Sequence, residues 1–334
     1  MAKYNIAIVG ATGAVGIEMI ETLEKRNFPV KNLKLLASSR SVGKKLKFKG
    51  EEFKVEELTE KSFDNIDIAL FSAGASRSKE FAPSAVSSGA VVIDNSSAFR
   101  MEKDVPLVVP EVNSEDVKWH KGIIANPNCS TIIMVVAVYP LHKAKKLRRI
   151  IASTYQAASG AGAKAMDELK EQSRLFLEGK PIPPPHALPQ RIAFNLFPHI
   201  DIFLENGYTK EEMKMLYEGR KIMHHPDLKV SCTCVRVPVM RAHSLSLNLE
   251  FEKEITPDEA RQILSKAPGV KVVDAPANKI YPMPIDASGQ YDCLVGRIRQ
   301  DISCEDRRNL DIFISGDQLL KGAALNAVQI AELL

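Results

Sequence analysis

Cysteine is scarce in this chain, and its scarcity excludes several designs. The five cysteines, Cys129, Cys232, Cys234, Cys293 and Cys304, are odd in number and irregular in spacing. That argues against a disulfide framework and for reduced thiols in a reducing compartment. Cys232-Thr-Cys234 lacks zinc half-site spacing and has no second pair, so no metal is expected. On a strand its two thiols would share a face and pack. Excess charge of one sign is also lacking. With 45 basic and 41 acidic residues the net charge is +4, too balanced to imply a nucleic-acid or membrane partner. The basic run Lys143-Ala-Lys-Lys-Leu-Arg-Arg149 reads as a solvated helix end placed favourably for the helix dipole. Long apolar runs are missing too. Ile132 to Val138 is the longest, far too short to span a bilayer. No signal peptide precedes the first expected strand, so a cytoplasmic location is expected.

What is present is enough apolar material for a sizeable core, 45% of 334 residues, and by length for two domains. One stretch organises the rest: Ile124-Ala-Asn-Pro-Asn-Cys-Ser-Thr131. Pro127 fixes its own φ and holds Asn126 extended, while Ser130 and Thr131 are helix-capping types. Cys129 is thus expected where a strand turns into a helix. There the positive end of the helix dipole favours thiolate, the nucleophilic form. Locally two readings stand level, an active-site nucleophile and a packed structural thiol.

The N-terminal pattern is strand, glycine loop, helix. Asn5 to Val9 reads as a buried parallel strand. Gly10-Ala-Thr-Gly-Ala-Val-Gly16 follows, and then Val15, Met19, Ile20 and Leu23 recur at helical spacing. In that context glycines permit close approach of a dinucleotide pyrophosphate to the helix N-terminus. The spacing departs from the commonest G-x-G-x-x-G form. After the next strand, Leu33 to Ala37, comes Ser38-Ser-Arg40. An acidic residue near there would grip a ribose 2′-hydroxyl, whereas hydroxyls and an arginine suit a 2′-phosphate. NADP is expected over NAD.

Further along, Gly43 to Val55 reads as a hairpin turning near Gly50, and Asp67 to Phe71 and Ala90 to Asp94 as buried strands. Arg100, in the loop beyond the second, is placed either to meet an anion or to make a surface salt bridge. Arg149 to Gln156 is a strong strand ending in the small-residue loop Ala157-Ala-Ser-Gly-Ala-Gly162. Residues 181–189, with five prolines, read as a stiff surface excursion. Thr209-Lys-Glu-Glu212 has the capping-box pattern, predicting a helix buried through Met213, Leu216 and Tyr217. Glu211 and Lys214 are three apart and so neighbours on it. Lys229 to Arg241 and Ser244 to Phe251 read as strands around a corner that carries His243, and the tail from Gly316 to Ile330 as one periodic helix.

Taken in order, five motifs resemble the aspartate-β-semialdehyde dehydrogenase family over essentially the whole chain. They are Gly10-Ala-Thr-Gly-Ala-Val-Gly16, Asn126-Pro-Asn-Cys-Ser-Thr131, Tyr155-Gln-Ala-Ala-Ser-Gly160, Arg236-Val-Pro-Val-Met-Arg-Ala-His243 and Gly316-Asp-Gln-Leu-Leu320. Together they are highly specific; none is so alone. The resemblance implies an α/β fold: a Rossmann-type dinucleotide-binding domain from residues 1–129 plus 316–334, and a mixed α/β catalytic and dimerisation domain from 130–315. It implies NADPH-dependent reductive dephosphorylation of L-4-aspartyl phosphate, feeding lysine, threonine and methionine synthesis in a homodimer.

Residue roles follow from the same resemblance. Cys129 is the nucleophile, His243 the acid/base, and Gln156 positions the substrate. Arg236 holds the α-carboxylate, Glu211 the α-ammonium, and Arg100 and Lys214 the phosphate. Gly10, Ala11, Thr12, Gly13, Ala14 and Val15 form the pyrophosphate loop. Ser39 and Arg40 meet the ribose phosphate, and Ser159, Gly160 and Gln318 the nicotinamide side. Glu218 and Lys221, again three apart, are the alternatives to Glu211 and Lys214. The nearest rival is N-acetyl-γ-glutamyl-phosphate reductase, whose acylated amine gives no reason for a carboxylate such as Glu211. A non-catalytic NADP-binding sensor would require the nucleophile or the base to be lost, yet Cys129, Gln156 and His243 are all present.

Overall fold

The apolar run before the glycine loop forms a buried strand, β1 (Tyr4–Val9), and a parallel sheet grows on both sides of it. The coordinates are a computed structural model that describes residues 3–334. By contact the chain divides into two units. One runs to Asn128 and takes in Gly322–Leu334; the other is Cys129–Lys321.

In the first unit α1 (Ala14–Lys25) follows β1, then β2 (Val30–Ala37), β3 (Lys45–Phe48), β4 (Glu51–Glu57) and β5 (Ile68–Phe71). Helix α2 (Ala75–Ser87), β6 (Val91–Asp94), the short α3 (Pro110–Asn113) and β7 (Ile123–Ala125) complete the series. The sheet order is β3-β4-β2-β1-β5-β6-β7. β1 pairs in parallel with β2 and β5, so Ile6 lies beside both Leu33 and Ile68. β3 and β4 form the expected antiparallel hairpin, and Gly50 takes the positive φ of its turn (+82°). Strands buried on both faces explain the unbroken apolar runs of β1, β5 and β6. The chain's end supplies part of this core. Ala324, Ala327, Val328, Ile330 and Ala331 pack with Ile8, Met19 and Leu23, and Arg26 grips Glu332 through two hydrogen bonds of 2.6 Å.

The second unit opens with α4 (Cys129–Lys145), so Cys129 is the first residue of a helix that follows β7. Then come β8 (Leu147–Gln156), α5 (Ala163–Leu177), α6 (Lys210–Ile222), β9 (Lys229–Arg236) and β10 (His243–Phe251). They are followed by α7 (Pro257–Leu264), β11 (Val270–Val272), α8 (Pro284–Ala287), β12 (Cys293–Gln300) and β13 (Asn309–Gly316). The sheet order is β11-β12-β13-β10-β8-β9. β9 runs parallel to β8, β10 antiparallel to β8, and β13 antiparallel to β10. The ends that carry Gln156, Arg236, His243 and Gly316 therefore meet along one border of the sheet.

Four local expectations are revised. The basic run is split: α4 ends at Lys145, Lys146 takes a left-handed φ of +52°, and Leu147 is already buried in β8. Its cations pair with Glu259, Glu252 and Glu250. The strand expected to reach Arg241 stops at Arg236, and residues 237–242 form a loop with Ala242 at φ +71°. Helix α6 starts at its capping box as expected, Thr209 and Glu212 bonding reciprocally. Its buried face, however, is Glu211, Glu212, Met215, Glu218, Gly219 and Ile222, while Tyr217 is exposed. An apolar count misses this face because its carboxylates are buried with partners in hand. The tail is not one helix. β13 runs to Gly316, Asp317 Oδ1 then accepts from the amides of Leu319 and Leu320, and a π-helical turn, Leu320–Ala324, leads into α9 (Leu325–Ala331).

The proline stretch is extended but tied down. The buried carboxylate of Glu168, on α5, accepts from the amides of His186, Ala187 and Leu188 at 2.6, 3.2 and 3.0 Å. Among the described residues no helix is long and apolar enough to cross a membrane.

Candidate active site

In the first unit the glycine loop shapes a cleft. Gly10 has φ +88°, and a Cβ there would lie 2.4 Å from the Ser72 carbonyl oxygen. A Cβ on Gly16 would lie 2.3 Å from the Gly10 carbonyl oxygen. The first glycine lets the loop pass the end of β5, and the second lets α1 close on the loop. Gly13 is the N-cap of α1 and offers no capping side chain, so the first-turn amides are left to an anion. The cleft, about 420 Å³, is lined by Gly10, Thr12, Gly13, Ser38, Ser39 and Arg40, and on its other flank by Ser72, Ala73 and Arg77. Ala11 is buried in the core and Val15 packs against that core, so these two would meet a ligand through their backbone. Shape, helix end and cations fit a phosphorylated dinucleotide. Glu57, Arg77 and Phe81 also line it and were missed in the sequence. For Arg77 and Phe81 the available signal was the end of β5, a neighbour of β1, whereas Glu57 ends β4, beside β2.

Arg100 is not a surface residue. It is buried, and its Nε and Nη2 donate to the carbonyl oxygens of Asn126 and Asn95 at 3.0 and 2.9 Å. Asn126 is fixed in turn, its side-chain amide donating to Asn95 Oδ1 and its own Oδ1 accepting from Asn326.

In the second unit the sheet border gathers the expected residues. Parallel register sets Gln156 beside Arg236, and antiparallel register sets His243 beside Gly316. His243 is fully buried. Its Nδ1 accepts from the Ala157 amide at 3.0 Å, and its Nε2 has no hydrogen-bond partner among the described residues. Because Nδ1 is an acceptor, the neutral ring carries its proton on Nε2. Burial, and then the nearby Arg236 charge, push the His243 pKa well below its ordinary 6.5. Arg236 Nη1 donates to the Ala157 carbonyl oxygen at 2.7 Å, and its buried Nε lacks a partner among the described residues. Burial lowers the guanidinium pKa, while Glu211, Cys129 and Cys234 pull it back, so the Cys129 sulfur lies within electrostatic reach of this cation. Gly160 faces both groups. A Cβ there would sit 3.0 Å from Arg236 Nη1 and from His243 Nε2.

A polar chain runs from Gln156 into α6. Thr154 Oγ1 donates to Gln156 Oε1 at 2.9 Å, Gln156 Nε2 donates to Glu211 at 3.2 Å, and Lys214 Nζ donates to Glu211 at 3.0 Å and Asp201 at 2.8 Å. Burial alone would lower the Lys214 pKa, but Glu211 and Asp201 together raise it, so it stays a cation. Thr154 and Asp201 had no motif to reveal them. Gln318 is buried, accepts from the Ala242 amide at 2.8 Å and donates to Ser159 Oγ. Cys129 begins α4, and Ile133, one turn on, would be 3.0 Å from a Cβ at Gly316. A thiol at a helix start, a neutral imidazole with a spare N–H, and two cations near a buried carboxylate can together support acyl transfer to sulfur.

Comparison with known proteins bears on both units. The model described as semialdehyde dehydrogenase, NAD binding domain, matches residues 5–120, and that described as semialdehyde dehydrogenase, dimerisation domain, matches residues 138–321. An aspartate-semialdehyde dehydrogenase from Aquifex aeolicus (strain VF5) is 59% identical, covering 99% of this chain and 98% of the relative. Among solved structures, aspartate semialdehyde dehydrogenase II from Vibrio cholerae, complexed with ASA, has a TM-score of 0.97 at 45% identity, covering 100% of this chain and 98% of that one. The Candida albicans aspartate semialdehyde dehydrogenase with NADP has a TM-score of 0.76 at 26% identity, over 100% and 98% of the two chains. With two family models matched in chain order and identity sustained from end to end, this chain belongs to the aspartate-semialdehyde dehydrogenase family.

Proposed function

We propose that this oxidoreductase reductively dephosphorylates L-4-aspartyl phosphate to L-aspartate 4-semialdehyde and phosphate, with NADPH as the reductant. It does so in the cytoplasm as a homodimer, in the supply of lysine, threonine and methionine. The convergence of Arg236 and His243 on Gly160, beside the Gln156–Glu211–Lys214 chain, carries this reading. The Vibrio cholerae relative complexed with ASA supports the substrate, and the Candida albicans relative with NADP supports the cofactor.

The chemistry then runs on the chain's own groups. Cys129 Sγ, as thiolate, bonds to the C4 carbonyl carbon. The C–O bond to phosphorus breaks, phosphate departs with the electron pair, and a thioester remains. Bound NADPH supplies the hydride that reduces this thioester carbonyl. The resulting alkoxide re-forms C=O and expels the Cys129 thiolate. His243 Nε2–H donates to the oxygen that bears charge in both tetrahedral species, and burial makes that bond strong. Arg236 holds the α-carboxylate with a bidentate fork, and Glu211, with Gln156, receives the α-ammonium. Lys214 binds phosphate, and Arg100 is assigned to phosphate as well. Gly10 to Val15, Ser39 and Arg40 bind the pyrophosphate and the ribose phosphate, and Ser159, Gly160 and Gln318 the nicotinamide.

The test is phosphate-dependent reduction of NADP by aspartate semialdehyde, run with wild type and Cys129→Ser. The variant should lose nearly all turnover and keep NADPH binding. Unchanged turnover, or an acyl adduct trapped on a different side chain, sinks the proposal.

A further inference from the structure

The nucleotide cleft contains a second arginine that the family motifs leave unassigned. In the sheet, β1 and its glycine loop lie between β2 and β5. Arg40 follows β2 in a short 3-10 turn, and Arg77 lies in the first turn of α2, which follows β5. Both residues line one cleft together with the hydroxyl residues Thr12, Ser38, Ser39 and Ser72, and Glu57 is the one carboxylate in that lining. Two cations and four hydroxyls against one acid favour a dianion over a neutral ribose hydroxyl.

Arg77 is oriented without being consumed. Its Nη1 donates to Glu80 Oε2 at 2.7 Å, three residues on along α2, and the arginine side chain remains 54% exposed. Such an exposed pair adds little to stability. It does hold one prong of the guanidinium fork, on a residue that lines the cleft. A planar fork held in place loses less entropy on meeting a phosphate than an untethered side chain would.

We infer that Arg77 is a second ligand of the cofactor's 2′-phosphate, closing on it from the β5 side while Arg40 closes from the β2 side. The inference rests on the NADP reading above and deepens it: cofactor choice is set by two arginines, one in the turn after β2 and one in the first turn of α2, and only the former lies where an adenosine-ribose residue is ordinarily sought.

The experiment measures equilibrium binding of NADPH and NADH to the full chain for wild type, Arg40→Gln and Arg77→Gln. Arg77→Gln should weaken NADPH binding about tenfold or more, the worth of one charge-assisted phosphate contact, and leave NADH binding unchanged. Unchanged NADH affinity also certifies that the variant is folded. Equal weakening of both cofactors would place Arg77 against the shared adenosine and overturn the inference. So would NADPH binding that responds to Arg40→Gln and not to Arg77→Gln; that result leaves the NADP reading intact. If wild type instead binds NADH as tightly as NADPH and Arg40→Gln changes nothing, the NADP reading fails and the inference falls with it.

Discussion

His243 links the architecture to a measurable proton balance. Its ring is fully buried with Nδ1 held by the Ala157 amide, and burial and the Arg236 charge depress its pKa well below 6.5. In the unfolded chain the same ring titrates near its ordinary value of about 6.5. At pH 7.5 it is mostly neutral in both states and contributes little. At pH 5.5 the unfolded chain has bound a proton that the native state refuses. The unfolded state therefore binds more protons, and stability must fall as pH drops below about 6.5, continuing down to the depressed native value. One unit below the unfolded pKa the loss is RT ln 11, about 1.4 kcal/mol, and each further unit costs about as much again. His243→Gln removes the titration and should flatten this part of the profile. His142, also lowered, chiefly by burial and by neighbouring His225, is present in both proteins and cancels in the difference. Urea unfolding of wild type and variant at pH 5.5, 6.5 and 7.5 supplies the comparison, and nitrogen-15 spectra of the ring should show a proton on Nε2 throughout. Parallel stability profiles, or a His243 ring that titrates at or above 6.5, would refute the argument.

Two further outcomes follow from the same geometry. Gly160→Ala puts a methyl 3.0 Å from both Arg236 Nη1 and His243 Nε2; displacing either group should lower kcat/KM by about tenfold to a hundredfold, with little change in melting temperature because Gly160 is exposed. Steady-state kinetics beside a thermal melt separates those effects, and unaltered kinetics would contradict the convergence. Glu168→Gln leaves one acceptor oxygen for three amide donors, which should cost about 1–3 kcal/mol and speed hydrogen exchange at residues 186–188. Exchange as slow as in wild type would show that other contacts hold the proline stretch.

The sequence was most legible where one local rule acts alone. Apolar runs marked β1, β5 and β6, the Thr209 capping box marked the start of α6, and Pro127 with the residues after it put Cys129 at the first position of α4. It was opaque where polar groups are buried by long-range pairing. The inner face of α6 is carboxylate because Glu211 meets Gln156, 55 residues away, and Glu212 meets the Cys234 amide. Arg100 could be weighed only against a surface salt bridge, because one of the carbonyls that receive it, that of Asn126, lies 26 residues on. The tail looked uniformly helical because its periodicity runs through the residues of the π-helical turn; the break comes at Asp317, whose partners include Arg241 and Gly289. Arg77 stayed hidden because strand order, not chain order, brings it to the glycine loop.

The last dozen residues also bear on how the polypeptide matures. The segment Gly322–Leu334, which packs with the core under β1 and α1, leaves the ribosome only after the whole of the second unit has been made. Until it arrives, Ile8, Met19 and Leu23 lack apolar neighbours that the folded unit gives them, so the nucleotide half cannot reach its final packing before that segment is made. The half numbered in the middle, by contrast, has its whole sheet available before that segment is made. Of the two units, the one whose chain starts earlier is thus the one completed later.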